Sequence, residues 1–501
     1  MVFRPKKKRK KISDVSEAST EHEEESESLA LDPTSQASTP TDSSSNQISS
    51  QKPGKKPIFD PAQNHGRYAA NDYQGCSHHF FAYGSLKPGD LCPLCAKAKL
   101  HGKLYALDPK VIVRLAGNPI ISGACYRLER LRCALCGEIY QAQLPEAISH
   151  QDKYNETCRS AIAMSRYYMG MPFKRLETMQ KLQEVPLADA TQWDQMRILY
   201  RVISPVFGVL ETLAAEGDLL HYDDTDHRIL AAYGHPRAVH TTAFVSIKDS
   251  RAIHLFYTAQ RCAGENFEAL MEIRTTEAPL MTMTDALSHN MPKKRDEDLM
   301  ARWIICFCLV HGRRKFYELF EVFKKESELV VEVISQVYKH EAECKKLGFN
   351  PEERLRYHQE HSAPLMEALR IWLNNQLLYD LVESNSVLGE AIRYMLKHFD
   401  AMTRFLQVAG APIDNSLCER AIKIVIRHRR NSLFYKTFRG ALIGDTIMSV
   451  IHTAARNDIN PFDYLNELQR HVEEVKENPK EWLPWNYQET LCKIKVLKRA
   501  A

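Results

Sequence analysis

Apolar positions recur along this chain with two different periods. From about Tyr154 to Glu216, the spacing of Met164, Tyr167, Tyr168 and Met171, then of Ile198, Val202, Phe207, Leu210 and Leu213, predicts helices. Between Leu219 and Leu309 the period shortens. Thr242–Ile247 and Ala252–Tyr257 read as adjacent antiparallel strands joined at Lys248-Asp249-Ser250, followed by a helix over Glu265–Ile273, a strand ending at Asp285, and the apolar run Trp303–Val310. That succession predicts a mixed sheet. From Arg314 to Phe405 the helical period returns through Phe316, Phe320, Phe323, Val330, Ile334 and Val337, with a stop at Gly348. Asp414–Leu468 is again helical, Asn460-Pro461 marks a turn before a last helix, and Trp482–Trp485 reads as a tail.

Composition narrows the class. At 501 residues the chain is too long for one core and suggests roughly two to four units of about 150 residues. With 44% hydrophobic and 26% charged residues it fits a soluble globular protein. The longest uninterrupted apolar stretch, Trp303–Val310, has eight residues, far below the ~20 of a membrane span, and no secretion signal is read at the N-terminus. The first residues are basic (Arg4, Lys6, Lys7, Lys8, Arg9, Lys10, Lys11) and an acidic, Ser-rich tract follows, so 1–65 is expected to be a disordered tail. The expected organisation continues with a small β-rich module over 66–150, a helical connector over 151–216, a catalytic core over 217–320 and 407–470 interrupted by a helical insertion over 321–406, and a C-terminal tail over 471–501.

Net charge is only +4, from 67 Lys and Arg against 63 Asp and Glu, so any basic surface must arise from local clustering. Thirteen cysteines without a regular framework favour thiols or metal ligands over disulfides. Two CxxC pairs, Cys92/Cys95 and Cys133/Cys136, can each present two thiolates from a tight turn, as one closed structural zinc site requires. The 37 residues between them call for a long intervening hairpin.

The other candidate chemistry is acidic. Asp223 and Asp224 end one predicted strand, Asp285 ends another, and Glu419 lies in a helix. Side chains alternate along a strand, so only one of Asp223 and Asp224 is expected to face a metal site. Lys423 and Arg430 share roughly the helical face of Glu419 and, with Arg420, are candidate phosphate contacts. Arg313, Arg314 and Lys315, following a buried strand, are further candidates, while His311 reads as a packed histidine and Trp303, Phe307 and Phe316 as core.

Three blocks, Leu220-His221-Tyr222-Asp223-Asp224-Thr225, Cys308-Leu-Val-His311-Gly-Arg313-Arg314-Lys315-Phe316 and Asp414-Asn415-Ser-Leu-Cys-Glu419-Arg420-Ala421, continued by Arg429-Arg430-Asn431-Ser-Leu433-Phe434, resemble the signature blocks of the insertion sequence 66 family of DDE transposases. The resemblance runs from about Gly89 to Trp485 and takes in the CxxC pairs, which look like that family's zinc-binding domain. It implies an α/β, ribonuclease-H-like catalytic core with an α-helical insertion in the 134-residue interval from Asp285 to Glu419. It also implies catalytic roles for Asp223, Asp285 and Glu419, with Asp224 as the alternative first ligand, and two Mg²⁺ (or Mn²⁺) ions beside one structural Zn²⁺. Implied partners are the DNA of the element ends and target, further copies of the chain on DNA, and accessory proteins of the same element, with no membrane and a bacterial cytoplasmic setting. The chain departs from the family after Asp285, where Ala286 and Leu287 stand in place of a glycine and aromatics, and at its N-terminus, where no coiled coil or helix-turn-helix is read. An inactive zinc-dependent DNA-binding relative and a nuclease of the same fold are the rival readings.

Overall fold

The computed structural model describes residues 86–107, 120–132, 139–293 and 301–500. The proposed N-terminal tail, the Val111–Val113 run, Cys133 and Cys136 lie outside the described residues. Two compact units are present, Met1–Leu115 and Ala116–Ala501. In the first, a short helix α1 (Pro93–Lys97) is bracketed by an antiparallel bridge between Leu91 and Lys103.

The second unit opens with the two-stranded antiparallel pair β1 (Arg130–Arg132) and β2 (Ile139–Gln141). Three helices follow: α2 (Glu156–Ala163, continued by a π-turn at Met164–Tyr168), α3 (Phe173–Leu182) and α4 (Asp189–Ala215). By length and composition α4 is apolar enough to cross a membrane. Here its Met196, Leu199, Ile203, Val206 and Leu210 are fully buried core residues.

The sheet comprises β3 (Leu219–His227), β4 (Val239–Lys248), β5 (Arg251–Ala259), β6 (Leu280–Thr284) and β7 (Trp303–Phe307), with helix α5 (Ala263–Met271) between β5 and β6. Its spatial order is β5-β4-β3-β6-β7: the first three strands are antiparallel, and β6 and β7 run parallel to β3. The mixed sheet expected from the strand, hairpin, helix, strand, helix, strand succession is therefore present. The β4–β5 hairpin closes through Asp249 and Ser250, both at positive φ (48° and 64°), the twist that a two-residue hairpin turn demands.

The apolar run Trp303–Val310 is not a single strand. It breaks at Cys308, and helix α6 (Leu309–Tyr317) begins there, so Arg313, Arg314 and Lys315 are helical. Gly312 lets this helix pack closely on Met402: a Cβ there would lie 3.1 Å from the Met402 sulfur. Next come α7 (Lys324–Leu347), α8 (Pro351–His361), α9 (Ala363–Leu378) and α10 (Val387–Met402). Helix α7 ends at Gly348 in the left-handed conformation (φ 69°), and Asn350 with Glu353 forms a capping box that starts α8. These helices form a second core with Met283, Cys306, Cys308, Leu309 and Phe316.

The chain then returns to the sheet with α11 (Ser416–Ser432) and α12 (Phe438–Arg456), followed by α13 (Pro461–Arg470), α14 (Val472–Glu477) and α15 (Tyr487–Ala500). The Trp482–Trp485 segment, read as a tail, is packed in: Trp482 is buried, stacks on His471 and accepts a hydrogen bond from the Tyr464 hydroxyl at its carbonyl.

Strand β5 is the sheet edge, and its outward amides meet a polar stripe on α12. Asn457, Thr453, Ser449 and Asp445 accept the N–H groups of Ala252, His254, Phe256 and Thr258 at 3.3, 3.0, 3.0 and 2.6 Å. Four helical residues rise about 6 Å and two strand residues about 6.7 Å, so an i, i+4 stripe keeps step with alternate strand amides. The helix thereby seals an edge that would otherwise pair with another chain.

Asp445 is fully enclosed, and burial pushes its carboxyl up to about 7 despite the bonds from Thr258 N–H and hydroxyl (2.9 Å). A raised carboxyl pKa makes the native state the tighter proton binder, so this group's contribution is complete below the usual carboxylate range and is lost as pH rises through about 7. Asp445→Asn, which keeps one acceptor and cannot ionise, should flatten the decline in urea midpoint between about pH 5 and about pH 8. Asp445→Leu, which strands the Thr258 donors, should cost about 1–3 kcal/mol at either pH.

Candidate functional site

Two neighbouring parallel strands build the acidic pair. The β3–β6 register places His221 opposite Met283, and two residues further on it sets Asp223 beside Asp285, on one face and about one strand spacing apart. Burial, then the Asp285 charge, pushes the Asp223 carboxyl up to about 7. Asp285 is also raised, chiefly by burial, and its Oδ1 accepts the Leu287 N–H and the Asn290 side-chain amide. Asn290 is itself fixed by a 3.0 Å bond from the buried Tyr222 hydroxyl to its carbonyl.

Asp224 points the other way, as strand alternation requires. Its Oδ2 accepts the Ala263 N–H at the start of α5 (3.0 Å), and its Oδ1 lies 3.4 Å from His289 Nε2. It serves as a helix cap, and its carboxylate is engaged away from the Asp223 face.

Glu419 comes from the first turn of α11, a helix packed against β3 and β4; its carboxylate is not grouped within 4.8 Å with those of Asp223 and Asp285. Helix α11 is seated by Cys418, whose thiol donates to the Ala243 carbonyl, and by Asn415. The Asn415 side chain meets His221 Nδ1 (3.1 Å) and donates to the Tyr222 carbonyl (3.1 Å), while its N–H points at Cys308 Sγ (3.3 Å). Among the described residues, one group of three side chains offers ligand atoms all within 4.8 Å of one another: Cys308, His311 and Glu419. His311, expected from sequence to be a packed histidine, is half-buried, and its buried Nδ1 has no hydrogen-bond partner. His221, buried against Asn415, is depressed to about 4 by burial and is neutral.

Cations flank this centre. On α11, Arg420, Lys423, Arg427 and Arg430 form an exposed stripe beginning next to Glu419, and Arg427 is tied to the Tyr168 carbonyl. Arg429 was not anticipated from sequence; it turns inward to Thr225 Oγ1 (3.2 Å) and the Asp226 carbonyl, pinning the end of β3. On α6, Arg314 and Lys315 are exposed, with the Lys315 ammonium 4.5 Å from the Tyr394 ring centroid, whereas Arg313 is half-buried with an unpartnered Nε.

In the first unit, Cys92 and Cys95 share one tight turn. Cys92 N–H donates to the Gly102 carbonyl at 2.8 Å, and a Cβ on Gly102 would lie 2.8 Å from Cys95 Sγ. Backbone amides of Cys95 and Leu94 hold the Cys92 thiol below its ordinary value, the cradle that a metal-binding thiolate needs.

Residues 153–442 match the model of the family described as Transposase IS66 family. The chain is also 25% identical over 378 residues to the uncharacterized protein y4hP of Sinorhizobium fredii (strain NBRC 101917 / NGR234), a match covering 72% of this chain and 67% of that one. The uncharacterized protein y4jD of the same strain is 28% identical over 187 residues, 36% of each chain. A third, y4qI, is 28% identical over 184 residues, 36% of this chain and 33% of its own. The matches thus span two thirds of one relative and about a third of the other two.

The two adjacent aspartates should respond oppositely to substitution in metal-free buffer. Asp224→Ala removes a helix cap and should cost about 1 kcal/mol. Asp223→Asn removes a carboxylate whose ionised form the fold disfavours, and should raise the thermal midpoint above pH 7. Thermal unfolding with chelator present checks both; a loss for Asp223→Asn equal to that of Asp224→Ala would refute the strained pair.

Proposed function

The chain belongs to the Transposase IS66 family, and we propose that it is a DNA transposase that binds the terminal inverted repeats of its element, cleaves at the ends and joins the freed 3′-hydroxyls to target DNA. The observation that carries this reading is the pair Asp223 and Asp285, which the β3–β6 register brings side by side, with α11, the helix of Glu419, packed against β3. The antiparallel β4–β5 hairpin on one side of β3 and two parallel strands on the other support a ribonuclease-H-like core, and helices α7–α10 occupy the interval where an insertion is expected.

The raised Asp223 and Asp285 carboxyls fit a cation, because buried neighbouring carboxylates lack the positive charge that would let both ionise. Two Mg²⁺ (or Mn²⁺) ions held by Asp223, Asp285 and Glu419 would supply activation of the attacking oxygen and stabilisation of the leaving oxygen. The protein's own part is positional. Asn290 fixes the Asp285 carboxylate, Arg429 anchors the end of β3, and the exposed cations Arg420, Lys423, Arg430, Arg314 and Lys315 would hold flanking phosphates. Cys92 and Cys95 would supply two of the thiolates of the structural Zn²⁺ expected from the sequence. Synapsis of two ends implies several copies on DNA, with accessory proteins of the same element as further partners.

Purified protein incubated with Mg²⁺ and plasmid carrying the element ends should nick at the ends and join strands, and Glu419→Gln should abolish both while end binding survives. Cleavage without joined product would identify a nuclease, and end binding without metal-dependent cleavage an inactive relative. Single Ala substitutions at Arg420, Lys423 and Arg430 should each reduce the salt dependence of DNA binding by about one unit of slope, measured by titration over a salt series.

A further inference from the structure

Glu419 lies within donor reach of a thiol and an imidazole, Cys308 and His311, whereas the Asp223–Asp285 pair offers an all-oxygen setting suited to hard ions. We propose that Cys308, His311 and Glu419 form a second cation site, one that takes a borderline-soft divalent ion of the Zn²⁺ class and, by engaging Glu419, withdraws it from the oxygen site. The inference deepens the reading of Glu419 as the third catalytic carboxylate and rests on it.

Local folding assembles the three donors. Cys308 is the N-cap of α6 and His311 lies three residues on, so both project from the first turn of one helix. Glu419 projects from the first turn of α11. The two helix starts are stitched together: Leu309 N–H donates to the Ile413 carbonyl at 3.0 Å, and Asn415 N–H reaches Cys308 Sγ at 3.3 Å. The donor atoms already lie within 4.8 Å of one another, and tetrahedral zinc with bonds of about 2.0–2.3 Å needs donors about 3.3–3.8 Å apart, a closure of about 1 Å. The buried, unpartnered His311 Nδ1 leaves that imidazole free to reorient without breaking a hydrogen bond at that atom.

Three protein donors leave the fourth tetrahedral position open to water. Binding exchanges the Cys308 S–H proton for an S–metal bond, with the proton released to solvent and no change of oxidation state. The positive ends of α6 and α11 both meet the thiolate so formed, which offsets part of the desolvation that holds the free thiol protonated.

Co²⁺ is the probe, since thiolate ligation gives it a charge-transfer absorption. Full-length wild type, Cys308→Ala and His311→Ala would each be titrated with Co²⁺ under reducing conditions and then back-titrated with Zn²⁺. Because the CxxC thiols are common to all three proteins, the expected result is one Co²⁺ fewer per chain, with a smaller thiolate band, in both variants than in wild type. His311→Ala keeps the test meaningful if Cys308→Ala fails to fold. Equal stoichiometry and equal spectra in all three would overturn the proposal. Failure of the underlying reading looks different: Glu419→Gln would then still cleave element ends in Mg²⁺, whatever the cobalt spectrum shows.

Discussion

One buried side chain, Asn415, holds together the three segments from which the site is made. Its amide spans His221 and the Tyr222 carbonyl of β3, its backbone N–H meets Cys308 at the end of β7, and its carbonyl accepts the Glu419 N–H that opens α11. A neutral amide can do this because it offers a donor and an acceptor in one plane, so a strand carbonyl and an imidazole nitrogen are satisfied together. With the amide nitrogen on the Tyr222 carbonyl, the amide oxygen accepts from His221 Nδ1–H, and burial keeps that imidazole neutral. Each such bond contributes only about 0.5–1.5 kcal/mol net, but leaving the buried groups unmatched would cost more, and that asymmetry fixes the geometry.

Around this junction the fold separates what must be rigid from what is left unsatisfied. Polar groups with structural work are fully matched: the β5 edge by the α12 stripe, and the Asp224 carboxylate by the start of α5. Unmatched groups occur in several parts of the fold, and where α6 and α11 meet the sheet they include the Asp223–Asp285 repulsion, His311 Nδ1, Arg313 Nε and Thr284 Oγ1. Stability is given up there, as expected of a site built to receive charge from outside.

Legibility in the sequence followed the range of the interaction. Alternation along β3 was enough to say that Asp223 and Asp224 face apart, and helical period was enough to place Lys423 and Arg430 on roughly the helical face of Glu419. The roles of Asn290, Asn415 and Arg429 were not legible, because their partners lie on other elements: Tyr222, His221 and Thr225 are remote in sequence from the residues that bind them. The α12 stripe shows the same limit. Asp445, Ser449, Thr453 and Asn457 have helical spacing, but only the strand beside them explains why polar residues are buried. At Trp303–Val310 hydrophobicity alone could not separate strand from buried helix, and the run holds both, a strand to Phe307 and a helix from Leu309.

Sharing one carboxylate between two donor sets has a consequence for metal choice. Divalent affinities for a site with sulfur and nitrogen donors rise toward the end of the first transition row, whereas Mg²⁺ and Mn²⁺ are taken by oxygen sites through charge and geometry. The aspartate pair offers only oxygens and a strong need for positive charge, so hard, abundant ions would win there by concentration. The Cys308 and His311 side gains little from such ions, because neither donor replaces their hydration well. Glu419 would therefore report the balance between the two kinds of ion, and Asn415, by fixing the distance between α6 and α11, sets how readily it can turn from one to the other.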